Sequence, residues 1–342
     1  MIITALAGFV AAQLVLRAVI ELWRPDWRDP TFEAKLDRLK RGVAAEPKAL
    51  TIVFLGSSQT VFGVHGRDIG AELSRRFGRP VRAFNFGAYA AGPFTCLVYL
   101  NRLLERGIRP DLIVVEAQPR HVYEQTVPSD IRLFPPEALA LRDIGLVKRY
   151  GGAKTVDYRR DWWKCFVEPA FAHRVSFLSL ACPGLLSPAG LIETWSDCDE
   201  TGWKPFPEIG LNAAQKRHIL DEARAAHEPS LRCVGDGSPL ASALLELLGR
   251  CRQEKIPTAL LVLPEGPLFR SLYRPGGIER FRQDLRGAAA CLKTPVVDLW
   301  DLCDEDEFHD SFHLLEHGAQ RASAALAERL VRTELRGLFV PK

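Results

Sequence analysis

Two short stretches at opposite ends of the chain carry residue types that do chemistry together. Near the start, an apolar run ends in Gly56-Ser57-Ser58-Gln59-Thr60, which sets two hydroxyls at a tight turn. Near the end stands Phe308-His309-Asp310-Ser311-Phe312-His313-Leu314-Leu315-Glu316-His317-Gly318-Ala319. Its D-x-x-H spacing lets the Asp310 carboxylate hold one ring nitrogen of His313 while the other faces a nucleophile, which is acid-base support for an activated serine. Each stretch has a plainer use, because Ser, Asp and His often serve only as caps where a helix begins. Another reading takes His309, His313 and His317, four residues apart, with Asp310 as a divalent-metal face. A fourth strong ligand is not evident, so no metal site is expected and no cofactor is implied.

The elements that must position these residues alternate along the chain. TIVFLG (51–56), VRAFNF (81–86), DLIVVEA (111–117), TALLVL (258–263) and PVVDL (295–299) are short, β-branched, apolar runs, as strands buried on both faces should be. Helical patterns lie between and after them: Gly66 to Phe77, Phe94 to Arg106, Pro239 to Glu254, Ile278 to Leu292 and Glu316 to Arg336. Strands alternating with helices predict an α/β fold, a three-layer αβα sandwich on a five-stranded parallel sheet, with its site at the strand carboxyl ends. The rhythm breaks at 120–237, where four of the seven tryptophans fall (Trp162, Trp163, Trp195, Trp203). This stretch is expected to be a helical insertion in a domain spanning 49–342, and its tryptophans are read as core rather than as a sugar or acyl site.

At these motifs the sequence resembles the SGNH (GDSL-like) hydrolases, which read G-D-S or G-S-S after the first strand and D-x-x-H-L before the last helix. The resemblance covers 50–119 and 238–333, and implies a flavodoxin-like fold with Ser58 as nucleophile, His313 as general base and Asp310 orienting it. Ser57 stands where many members have Asp. The family's second block looks like Asn85-Phe86-Gly87-Ala88-Tyr89-Ala90-Ala91-Gly92-Pro93, which puts the expected backbone oxyanion donor on Ala90, with Gly87 or Gly92 as alternatives, beside the Ser58 N-H. In the third block the family's G-x-N-D is replaced by Gln118-Pro119-Arg120-His121, so Gln118 or Arg120 would have to stand in for the Asn donor. That departure is similar to membrane-tethered members such as polysaccharide O-acetyltransferase-like proteins. The expected substrate is an acyl-ester small molecule or an acylated glycan, the acyl group passing to water in a hydrolase or to a sugar hydroxyl in a transferase. A catalytically inactive binding protein on the same fold is the third reading.

The first 23 residues bear on location. Ile2 to Leu16 is uncharged and is followed by Arg17, Glu21 and Trp23-Arg24, which reads as an uncleaved anchor or export signal, with 24–48 as a linker or first surface helix. An extracytoplasmic body is expected, and a cytoplasmic-facing one is the alternative because no Lys or Arg precedes the apolar run. The 342 residues carry a formal charge of only +3 without a basic stripe, so nucleic acid is not expected as a partner. Eight cysteines without a C-x-x-C pair supply no zinc module, and Cys165, Cys182, Cys198 and Cys233 suit either disulfides or buried thiols.

Overall fold

A computed structural model describes residues 2–123, 129–151, 155–186, 198–207, 213–232, 234–235 and 240–340. The chain divides into two compact units, Met1–Asp37 with Val127–Cys198, and Arg38–Thr126 with Asp199–Lys342. The segment expected as one insertion is therefore partitioned: its middle groups with the N-terminus, while 199–207 and the Ala213–Leu231 helix belong with the sheet.

The second unit holds five parallel strands, β1 (Leu50–Leu55), β2 (Val81–Asn85), β3 (Leu112–Glu116), β4 (Thr258–Val262) and β5 (Val296–Asp298), in the order β2-β1-β3-β4-β5. All five expected strands are present within a residue or two of their predicted ends. Register runs Phe54 to Asn85 across β1/β2 and Leu55 to Val115 across β1/β3, which levels the carboxyl ends of the central strands. Every residue of β1, β3 and β4 is buried, and for that reason these strands read as continuous apolar runs without alternation.

Helices cover both faces. On one, the Gly66–Phe77 and Glu316–Leu330 helices pack together over Leu50, Ile52, Phe54 and Val114. On the other, Pro93–Glu105 packs against Ser242–Gln253. Each fully buried Leu or Phe contributes roughly 1.5–3 kcal/mol, so the core alone fixes the strand register that the site depends on. The Glu316–Leu330 helix stops short of the expected Arg336, where a separate short helix, Arg336–Phe339, begins. Thr333 Oγ1 donates to the Leu330 carbonyl at 2.7 Å and accepts from the Leu335 N-H at 3.2 Å, so a side chain takes over the backbone bonds that would continue the helix.

The first unit is helical. Ile2–Leu22 is one continuous helix, long and apolar enough by length and composition to cross a membrane, with a mean hydropathy of 2.0. It reaches Leu22 because Arg17 and Glu21 pair one turn apart and Arg28 closes on Glu21 at 2.7 Å. Residues 24–48 form the helices Pro25–Arg28 and Pro30–Ala45, each with proline in its first turn, where the missing N-H costs nothing. Trp162 is buried with its indole N-H on the Leu139 carbonyl, as a core tryptophan should be, whereas Trp163 is half exposed. Trp195, Cys233 and the expected helix start at Pro239 lie outside the described residues. Cys165, Cys182 and Cys198 are free thiols.

Candidate active site

β1 and β3 diverge in connectivity, β1 leading to one edge of the sheet and β3 toward the other. The crevice at their carboxyl ends is where an open parallel sheet accepts a ligand. Gly56 closes β1 because nothing larger fits: a Cβ there would collide with Thr60 Oγ1 and Glu116 Oε2 and lie 2.6 Å from Glu116 Cβ. The chain then enters the short Ser58–Gly63 helix.

The two serines meet different partners. Ser57 is the cap, its Oγ accepting the Gln59 N-H at 3.1 Å. Ser58 is half-buried and faces His313, with 2.7 Å between its Oγ and His313 Nε2. His313 Nδ1 lies 2.7 Å from Asp310 Oδ2, and Asp310 Oδ1 accepts the His313 and Phe312 backbone N-H groups at 2.8 and 3.3 Å. Ser58, His313 and Asp310 thus form one hydrogen-bonded chain. Burial pushes the Asp310 carboxyl up, but the His313 ring and the two backbone donors outweigh it and hold it below the usual range. With Nδ1-H donating to the carboxylate, Nε2 is the acceptor for the serine proton.

The turn bearing Asp310 and His313 is itself fixed. Ser311 adopts a left-handed φ of 67°, its Oγ accepts the Phe269 N-H at 2.9 Å, and its carbonyl accepts the Gly266 N-H at 2.6 Å. Three rings enclose His313: Phe312 at 4.0 Å, Phe62 at 5.4 Å and Phe206 stacked at 5.5 Å. They limit its rotation and lower the local dielectric. Phe206 comes from the segment that shows no periodicity, so nothing in the sequence marks it.

The expected oxyanion donors differ in what they already hold. The Gly87 N-H donates to Asn85 Oδ1 at 3.0 Å, and the Gln118 amide donates to Ser57 Oγ at 2.7 Å and to Gln59 Oε1. Arg120 is buried, its Nε donating to Gln118 Oε1 at 3.0 Å, with its guanidinium 5.1 Å from the Phe312 ring centroid. Gln118, backed by Arg120, thus braces the turn at Ser57 and Gln59. Ala90 stands in the left-handed conformation, φ 54°, at the position where spacing predicts a donor.

One residue that sequence reasoning passed over organises this end of the sheet. Glu116, the last residue of β3, accepts the Ser57 N-H (2.8 Å) and hydroxyl (2.7 Å), the Thr60 N-H (3.2 Å) and the Thr60 hydroxyl. Burial raises its pKa, with those donors and the nearby Arg120 charge pulling the other way. Asn85 adds a second clamp, its amide nitrogen donating to the Thr60 and Val64 carbonyls at 2.6 and 2.8 Å.

His317 is exposed on the Glu316–Leu330 helix, whereas His309 lies tilted against Phe206, ring centres 4.4 Å apart. Among the described residues, no group of three His, Cys, Asp or Glu side chains is placed to hold a metal ion.

No family model and no curated protein matches the chain. Solved structures similar to it include a lipase/acylhydrolase from Enterococcus faecalis, 14% identical, covering 83% of this chain and 97% of that one at a TM-score of 0.37. A lipolytic protein of the G-D-S-L family from Desulfitobacterium hafniense is 9% identical over 82% and 98% of the two chains, TM-score 0.36. An acetyl-xylooligosaccharide esterase from Geobacillus is 12% identical over 85% and 96%, TM-score 0.34.

Proposed function

We propose that this chain is a serine-dependent ester hydrolase of the SGNH type, in which Ser58, His313 and Asp310 are the catalytic residues. The observation that carries the reading is the unbroken series of two 2.7 Å hydrogen bonds from Ser58 Oγ through the imidazole to Asp310.

Ser58 Oγ attacks the ester carbonyl while His313 Nε2 takes its proton, and Asp310 stabilises the resulting imidazolium. The backbone N-H groups of Ser58 and Ala90 hold the oxyanion. As the tetrahedral intermediate collapses, the leaving alcohol takes the proton from His313, and the acyl group stays on Ser58. Water, deprotonated by the same imidazole, attacks this acyl-enzyme and releases the acid, restoring Ser58. A sugar hydroxyl in place of water would complete an O-acyl transfer by the same steps. The Ile2–Leu22 helix serves as a membrane anchor, which makes an O-acylated glycan at a membrane surface a fitting substrate.

Turnover of p-nitrophenyl acetate by the full chain in detergent tests this reading. We expect a stoichiometric burst followed by steady hydrolysis, with Ser58→Ala and His313→Ala each losing on the order of 1,000-fold or more in kcat. Turnover unchanged in Ser58→Ala would overturn it.

A further inference from the structure

Around a buried apolar core that includes Ile20, Leu139 and Trp162, part of the helical unit's surface is inside out for a body in water. In the Ile2–Leu22 helix the charged Arg17 is buried, while Leu14 and Val15 are each more than 60% exposed. The same inversion recurs in Arg174–Ala181, where Ser176 is the buried residue and Leu178 and Leu180 face outward. Between them His173 is fully buried and Phe171 is 64% exposed. Polar groups turned inward and large apolar groups turned outward match a hydrocarbon solvent, in which ionisable side chains face the protein.

The depth of these groups follows from the helix they pack against. Ile2–Leu22 packs on Val156–Val167 and Pro169–Ala172. The Ala170 N-H donates to Gln13 Oε1 at 3.2 Å, and the Arg17 guanidinium lies 4.3 Å from the centre of the Phe166 ring. Gln13 is nine residues before Leu22, so at 1.5 Å per residue Ala170 sits roughly 13 Å along the helix from its end. That is within one leaflet of a hydrocarbon core about 30 Å thick. Beside it an open cleft of about 450 Å³ is walled by Leu16, Trp27, Phe177, Leu180 and Ala181, with Arg24 as its one charged residue. Its walls suit an acyl chain, and Arg24, held by Asp26 at 2.7 Å, marks its polar end.

We propose that the exposed Trp163, Val167, Phe171, Leu178, Leu180 and Leu185 form, with the Ile2–Leu22 helix, a lipid-facing surface, and that the helical unit is embedded in one leaflet of a bilayer rather than held above it by a single anchor. The occupant of the exposed apolar face is lipid. This rests on the reading of Ile2–Leu22 as a membrane helix, and the test separates the two.

The photo-crosslinker p-benzoylphenylalanine is placed singly at Val10, Phe171, Leu180 and Leu268 of the full chain in phosphatidylcholine and phosphatidylglycerol liposomes, and adducts are mapped by peptide mass. Leu268 is 49% exposed and belongs to the other unit, so it reports background. We expect lipid adducts at 10, 171 and 180, at least tenfold above those at 268. Lipid at 10 with none above background at 171 and 180 would overturn the embedding and leave the anchor intact. Adducts at 171 and 180 carrying a second copy of the chain would do the same by showing a protein partner. No lipid at 10 would overturn the anchor and the embedding together.

Discussion

The Glu116 carboxylate at the end of β3 accepts the Ser57 hydroxyl at 2.7 Å across 59 residues of sequence, and so ties the loop after β1 to the neighbouring strand. Glu116→Gln replaces one acceptor oxygen with a donor facing the N-H and hydroxyl donors of Ser57 and Thr60. Leaving such buried groups unsatisfied costs about 1–3 kcal/mol. We expect kcat to fall roughly tenfold or more with KM little changed, since the loop moves by fractions of an ångström and misplaces Ser58. Steady-state kinetics beside a chemical melt read both effects, and a variant with wild-type kcat would show that Glu116 has no positioning role.

Gly56→Ala strikes the same clamp from the other side. Its methyl meets Thr60 and Glu116, both held by buried hydrogen bonds, so neither gives way cheaply. A loss of activity like that of Glu116→Gln is expected, together with a destabilisation of about 1–3 kcal/mol from overpacking. The double variant should lose less than the sum of the two single losses, because both act on one contact.

Ala90 should behave oppositely. A non-glycine residue at φ 54° carries roughly 1–2 kcal/mol of strain, and glycine removes it without removing a backbone donor. Ala90→Gly is therefore expected to keep kcat within about twofold, whereas Ala90→Pro, which both deletes the N-H and cannot hold a positive φ, should cost on the order of 100-fold or more. Equal activity in the glycine and proline variants would remove Ala90 from the oxyanion site.

Acid stability offers an independent check. His227, edge-on to the Phe312 ring at 5.4 Å, is held neutral to about pH 4 by burial and then by the Arg120 and His313 charges. A free histidine titrates near 6.5, so between pH 6.5 and 4 the unfolded chain binds the extra proton and stability falls as pH falls. The Asp310 carboxyl, depressed in the fold, adds a loss at lower pH, as the pH drops from its unfolded value through its folded one. Urea midpoints across pH 4–7 should slope less steeply in His227→Phe than in the wild type, and an identical slope would contradict the neutral buried imidazole.

Much of this site was legible because chemistry and topology coincide in short stretches. Ser58 follows a strand directly and Asp310 and His313 share one turn before a helix, so local spacing suffices to pair them. Glu116 was not legible: its partners lie 56 to 59 residues away, and a Glu closing an apolar run reads equally as a solvated strand end. The bracing role of Gln118 was hidden for the same reason, because only the fold brings Ser57 and Gln59 beside it. The strands were read closely because burial on both faces leaves an unbroken apolar run, whereas the partition of 120–237 depends on packing with the N-terminal helix, which has no local signature.

The most direct test of the central claim is covalent labelling of the full chain with a fluorophosphonate, read by intact mass and peptide mapping beside Ser58→Ala and His313→Ala. An activated serine predicts one adduct per chain, on Ser58, absent in Ser58→Ala and strongly slowed in His313→Ala. Folded wild-type protein that takes no adduct, or takes it elsewhere at the same rate in both variants, would contradict the assignment of Ser58 as the nucleophile.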